Sequence, residues 1–297
     1  MILLLSLLIG IARADLCNQW GPSEYFGNVP QIADEASGLI YSRQFSNRLY
    51  HVNDGKSTSL IVSNAEGTVT KEISIDEVKL HDVEELAYGS CPDDNKKYCI
   101  YIGDIGDNGR QRSFIQVVVV REEEKFSDSI KPLAVYRMHY SDGPHNSEAM
   151  AIHRDGSLYI VTKEKKNGVA HSAKIFRNSI FKPQGELTLI GELDLPYLSK
   201  NQDVDDQVVT GLTISDDSRR FILMSYRRAW EFNLDLSESI ISTKKLRLGV
   251  DYQPIVVGQL PQQEAITYLP DQKSFIYSTE AGEATQGQSV NIVRCLE

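Results

Sequence analysis

Apolar residues along this chain come in short runs separated by turn-rich polar segments, and no long stretch carries helical periodicity. The segment from Asp142 to Glu164 shows the unit. It opens with the turn Asp142-Gly143-Pro144 and a polar cluster, His145-Asn146-Ser147-Glu148, followed by an apolar run from Ala149 to Ile152. A tight Arg154-Asp155-Gly156 turn then leads into a second run, Leu158 to Thr162. Alternation and turn chemistry together predict a β-hairpin.

The same phrase recurs. Aligned on its first apolar residue, it has copies anchored at Leu39, Leu86, Met150, Leu212 and Ile266, separated by 47, 64, 62 and 54 residues. Second strands are expected at Leu49 to Val52, Tyr98 to Gly103, Leu158 to Thr162, Phe221 to Ser225 and Phe275 to Ser278. Further strands fit at Phe114 to Val120, Ala134 to Tyr140, Lys174 to Arg177 and Leu187 to Leu193. In the fourth copy they fit at Ala229 to Leu234, then at Leu246 to Val250 or Ile255 to Val257. A period near 50 in a β-rich chain points to propeller blades of four strands. The expected fold is all-β, a five-bladed β-propeller, with six blades as the runner-up. The last copy has room for only one more strand, Val290 to Leu296, so an N-terminal strand between Cys17 and Val29 is expected to complete it and close the ring.

Composition sets the context. Ile2 to Ile11 is a short apolar run followed by Ala12-Arg13-Ala14, which fits a secretory signal over residues 1–14 and leaves 15–297 as a single propeller domain. No later stretch is apolar enough to span a bilayer, and a formal charge of −10 argues against nucleic acid or anionic lipid as partners. The four cysteines all lie beyond the signal, as two bridges in an oxidising compartment would require. Cys91 and Cys99 flank a polar turn and suit a local clamp, which leaves Cys17 and Cys295 to join the ends. There is no Asn-x-Ser/Thr sequon.

Two residues before the anchors stand Ser37, Glu84, Glu148, Thr210 and Glu264. First strands line the channel of a propeller, so these positions are expected to form a ring around the axis. Asp82 and Asn146, each two residues before a ring glutamate, face the same way on an extended segment. Converging carboxylates need protons, basic side chains or a cation. The metal reading assigns Glu84, Glu148, Glu264, Asp82 and Asn146 to a hard divalent ion, calcium before magnesium. The competing reading has each glutamate accept backbone N–H bonds, with water filling the rest. His81 and His145 suit turns better than zinc, since His-x-x-Glu on a strand does not aim both side chains at one ion.

A second set falls at the far ends of the second strands: Asp104, Lys163, Glu164, Tyr226, Arg227, Arg228 and Glu280. Lys163, Tyr226 and Arg227 could orient and polarise an anionic or polar small molecule, although rim salt bridges would use the same residues. The loop Gly103 to Gly109 lacks EF-hand spacing, with Ile115 at the place of the bidentate glutamate, and is expected to be a glycine-supported turn. Asp203, Asp205 and Asp206 form an acidic loop. No nucleophile elbow, Walker loop, zincin helix or Cys-x-x-Cys is present.

Several phrases resemble a family of secreted β-propeller proteins known mainly from bacterial genomes. They are His81 to Ala87, Tyr101 to Asn108, Asp142 to Ala149, Val161-Thr162-Lys163, Val209-Thr210-Gly211 and Glu264-Ala265-Ile266. The resemblance covers most of residues 81–281 and matches the family's glutamates to Glu84, Glu148 and Glu264 and its lysine to Lys163. The chain departs from it at Val83, where members have Trp, and at Ser225-Tyr226-Arg227, where they have an Arg-Thr-Tyr order. The resemblance implies the fold and names residues, but brings no activity with it. Phytase-like and lactonase-like propellers, with calcium in an acidic channel, are a more distant analogy. Two functions follow as expectations. One is a secreted calcium-dependent hydrolase of phosphoester, ester or lactone substrates. The other is a non-catalytic extracellular recognition or matrix protein that binds a protein partner and keeps a structural carboxylate ring.

Overall fold

The computed structural model describes residues 16–55, 58–183, 185–196, 203–237, 246–258, 260, 262–280 and 288–296. The leader expected over residues 1–14 lies outside the described residues. The described chain is all-β apart from one 3-10 turn, Val204–Asp206.

After β1 (Glu24–Asn28) comes an antiparallel meander of β2 (Ala36–Tyr41), β3 (Leu49–Asn53), β4 (Ser59–Ser63) and β5 (Val69–Ile75). The next begins with β6 (Glu85–Ser90), β7 (Tyr98–Asp104) and β8 (Ile115–Arg121). The short β9 (Ser129–Ile130) then pairs in parallel with the edge of β5 before β10 (Ala134–Tyr140) completes that meander. A third contains β11 (Ser147–Ile152) and β12 (Ser157–Thr162), a small hairpin of β13 (Lys165–Lys166) and β14 (Val169–Ala170), then β15 (Ala173–Ser179) and β16 (Glu186–Leu193). The outer strands β10 and β16 run side by side over two residue pairs. A fourth sheet follows as β17 (Gly211–Ile214), β18 (Phe221–Met224), β19 (Ala229–Phe232) and β20 (Tyr252–Ile255). The last comprises β21 (Gln263–Tyr268), β22 (Ser274–Thr279) and β23 (Ser289–Arg294), with β1 as its outermost strand.

Burial explains the strand order. First strands such as β11 and β21 are buried at every residue, because they meet neighbours on both faces. Outer strands such as β5 and β10 alternate buried and exposed positions, the pattern of a half-covered edge. The first strands contact one another in sequence, β2 with β6, β6 with β11, β11 with β17, β17 with β21, and β21 with β2. The apolar core is divided accordingly. Tyr101 and Val119 of the second sheet pack with Ile160 and Phe176 of the third, and Leu39 and Leu49 of the first pack with Ile276 and Ile292 of the last. Four-stranded sheets packed face to face around a common axis make this a β-propeller.

The fourth strand of the fourth sheet falls between the two positions expected for it. Residues 247–251 form a turn instead, with Gly249 at φ +73° and Arg247 Nε donating to Asp251 Oδ2 at 2.8 Å. Disulfides join Cys91 to Cys99 and Cys17 to Cys295, the latter beside the β1–β23 pairing. Among the described residues no helix is long and apolar enough to cross a membrane.

Candidate functional site

Every ring position sits at a bulge. In β2, β11 and β21 the pairing register skips one residue, and the skipped residues are Ser37, Glu148 and Glu264. In the second sheet Glu84 donates its N–H to the Gly103 carbonyl (2.9 Å), although Glu85 is already paired with Gly103. In the fourth, Thr210 donates to the Met224 carbonyl (2.8 Å), although Gly211 is already paired with Met224. Two residues against one is the signature of a β-bulge, which re-aims a side chain. The device recurs in all of the repeat copies and turns these residues out of the sheet planes at one end of the channel.

The two hydroxyls tie neighbouring first strands. Ser37 Oγ donates to the Glu84 carbonyl (2.6 Å), and Thr210 Oγ1 to the Gln263 carbonyl (2.7 Å). The three glutamates divide between two environments. Glu148 forms a buried ion pair with Lys163, whose Nζ also donates to the Tyr226 hydroxyl and lies 4.6 Å from that ring's centroid. Glu148 Oε2 is buried without a hydrogen-bond partner among the described residues. Glu84 is grouped instead with Asp54 and Asp82, one carboxylate oxygen of each lying within 4.8 Å of the others. None of these three acids forms an ion pair among the described residues. Of the residues expected at a metal, Glu148 has a lysine as its counter-ion, and Glu84 and Asp82 group with Asp54.

Electrostatics follow the geometry. Burial first, then the charges of Glu148 and Asp54, push the Glu84 carboxyl well above its ordinary value. Burial followed by Glu148 and Glu280 does the same to Glu264. Glu148 itself is raised by burial, with Lys163 opposing. Burial would lower the Lys163 ammonium, but Glu148 and Tyr226 outweigh it and raise the group instead. Burial and the Glu148 charge raise the Tyr226 phenol. Lysine and tyrosine both remain protonated at neutral pH.

Other expected residues have different partners. The Asn146 side-chain oxygen accepts the Asp107 N–H (2.7 Å), and its amide nitrogen donates to Asn108 (3.2 Å) and Glu148 (3.4 Å). Asn146 thus braces the 105–109 turn, and its carbonyl oxygen is already engaged. Asp104 is fully buried as a strut, accepting from the Asp82 N–H (2.9 Å), Arg112 Nη1 (2.9 Å) and Gln116 Nε2 (2.7 Å). Glu164 pairs with Arg110 (2.7 Å) and His145 (2.8 Å). Arg227 and Arg228 turn toward the acidic loop, to Asp203 (3.3 Å) and Asp206 (3.4 Å).

Asp54 was missed in the sequence, although a signal for it exists. The N–H groups of Asp54, Lys163 and Glu280 donate to the carbonyls of Glu35, Asn146 and Gln262, each two residues before a ring position. These three are equivalent positions in their copies, and Asp54 directly follows β3. In the second copy the matching bond, to the Asp82 carbonyl, comes from Gly106 (3.1 Å). A glycine there leaves the space that the Asp82 and Glu84 carboxylates occupy.

No curated protein matches the sequence. Among solved structures the chain is similar to one in a crystal structure of a nidogen/laminin complex, with 15% identity and a TM-score of 0.46 over 83% of this chain and 73% of that one. It is also similar to the Dos1 propeller, with 10% identity and a TM-score of 0.37 over 82% of this chain and 53% of that one. The family described as SdiA-regulated matches residues 26–280, a span that holds Asp54, Glu84, Glu148, Lys163, Tyr226 and Glu264. With that match running over most of its length, the chain belongs to the SdiA-regulated family.

Proposed function

We propose that this chain is a secreted, five-bladed propeller domain whose axial mouth binds calcium and hydrolyses phosphoester, ester or lactone substrates. The observation that carries the reading is the meeting of Asp54, Asp82 and Glu84 oxygens within 4.8 Å, with no ion pair to any of them among the described residues. At the mouth, Asp54 Oδ1 and Glu148 Oε2 are buried and lack a hydrogen-bond partner among the described residues. An all-oxygen carboxylate set of this kind suits a hard divalent cation, and its size and flexibility favour calcium over magnesium.

Calcium bound there would offset the carboxylate charge and polarise a substrate oxygen. The chain's own residues do the rest. Asp104 and Arg112 fix the turn that backs the three acids. Lys163 holds Tyr226 at the rim and offsets Glu148. Secretion accords with the two disulfides, one of which joins the chain's two ends.

The test is metal content and thermal melting of the purified protein with calcium and with chelator, for wild type and Glu84→Gln, followed by a hydrolase substrate panel. Calcium-dependent stabilisation lost in Glu84→Gln, with turnover of at least one substrate class, is expected. A melting temperature indifferent to chelator removes the metal reading. Calcium binding without turnover favours instead a non-catalytic extracellular recognition protein with a protein partner.

A further inference from the structure

We propose that the substrate of this mouth is an uncharged carboxylic ester or lactone, and that the Tyr226 hydroxyl donates to its carbonyl oxygen. This narrows, and rests on, the cation-dependent hydrolase reading.

The first argument is the commitment of the basic groups. Enzymes that transfer or hydrolyse phosphoryl groups clamp the charged oxygens with arginine, lysine or metal. Here the nearby guanidiniums are engaged elsewhere: Arg110 with Glu164, Arg112 with Asp104 and the Gly106 carbonyl (2.6 Å), Arg227 with Asp203 and Arg228 with Asp206. Lys163 is held by Glu148. Asp54, Asp82 and Glu84 cluster there, and Glu264 and Glu280 feel the same negative field. A phosphomonoester would bring two more negative charges into it. An ester or lactone brings none.

The second argument is the direction of one proton. An ammonium group can only donate, so in the Lys163–Tyr226 hydrogen bond the phenol oxygen is the acceptor. The Tyr226 O–H is therefore left for another acceptor, with a positive charge directly behind it. Such a donor strengthens as negative charge grows on a carbonyl oxygen under attack. In the hydrolysis, a water oxygen bonds to the acyl carbon and the acyl carbon–oxygen bond breaks. One water proton goes to the departing alkoxide, giving acid and alcohol, or a single hydroxy acid from a lactone. No redox partner is needed.

The test uses the calcium-loaded full chain with p-nitrophenyl acetate, δ-valerolactone and p-nitrophenyl phosphate. Ester or lactone turnover should exceed phosphate turnover by at least about 100-fold in kcat/KM. Tyr226→Phe should keep the calcium-induced rise in melting temperature and lose about 100-fold in kcat with KM little changed. Preference for the phosphate overturns the inference and leaves the hydrolase reading standing. Calcium binding with no turnover of any probe overturns both. Unchanged kcat in a folded Tyr226→Phe removes the role of the phenol. The wild-type substrate preference decides the class even if that variant does not fold.

Discussion

Gly106 and Glu84 occupy each other's space: a Cβ placed on Gly106 would collide with Glu84 Oε1 and would lie 2.5 Å from Asp82 Oδ2. The glycine is not needed for a left-handed backbone, since it is absent from the positive-φ positions. It is needed for room. In the first and third copies the equivalent place holds a side chain, Asp54 or Lys163, and here it holds none.

Gly106→Ala should therefore spare the fold and damage the site. The obstructing atoms are the ends of flexible side chains, so the carboxylates will swing away rather than the backbone shift. We expect an unfolding free energy within about 1 kcal/mol of wild type, and calcium affinity reduced about tenfold or more. Calorimetric titration checks the second and denaturant melts the first. Unaltered affinity would show that Asp82 and Glu84 do not bind the ion together.

Breaking the Glu148–Lys163 pair should cost more than removing it whole. Both side chains are largely buried, and leaving either charge alone costs about 3–5 kcal/mol. Glu148→Gln and Lys163→Met, measured singly and together in chelator, should be strongly non-additive, with the double variant more stable than the sum predicts. Additive losses would mean the pair is not coupled.

The carboxylates give the metal-free protein a distinct pH response. The folded pKa values of Glu84, Glu148 and Glu264 lie above the ordinary 4.5. Their contribution to stability is thus complete below about 4.5 and is lost as pH rises through the folded values. In chelator the melting temperature of wild type relative to Glu84→Gln should fall as pH rises above about 4.5, and calcium should abolish that fall. A difference that is flat with pH would contradict the burial argument.

His51 acts in the opposite sense. It is fully buried, its Nε2 bonds Ser63 Oγ at 2.9 Å, and burial lowers its pKa from 6.5 to about 3. Its contribution is fully present above 6.5 and drains away as pH falls toward 3, by about 1.4 kcal/mol per pH unit. Acid unfolding followed by tryptophan fluorescence should show a shallower slope for His51→Gln over that window, whatever its absolute stability.

The two disulfides should differ in weight. Cys17–Cys295 closes a separation of 278 residues and Cys91–Cys99 one of 8. Chain-entropy arguments give about 5.5 kcal/mol for the first and about 2.5 for the second. Replacing the terminal pair with alanines should lower the unfolding free energy by the larger amount. Equal losses would mean that the β1–β23 pairing holds the seam without the bridge.

Much of the fold can be read along the chain. Short apolar runs in the first strands and alternating outer strands are local patterns, and the anchors from Leu39 to Ile266 mark their repetition. The place of β1 follows from a last repeat with too few strands, and the cysteine pairing from spacing. The site is legible only as far as the repeat is strict. Ser37, Glu84, Glu148, Thr210 and Glu264 can be aligned by eye. The partners of Asn146 and Arg227 cannot, because they come from other copies and from a separate loop.

The sequence by itself determined the strand repeat, the closure of the chain's two ends and the identity of the ring residues, because periodicity, turn chemistry and spacing act over short distances. Only the tertiary structure decided which carboxylate meets a lysine and which meets other carboxylates. That choice depends on bulges, whose two-against-one pairing is set by the neighbouring strand, and on contacts between residues dozens of positions apart. Glu84 and Glu148 share the pattern His-(Asp/Asn)-x-Glu, and their different surroundings come from Gly106 and Lys163.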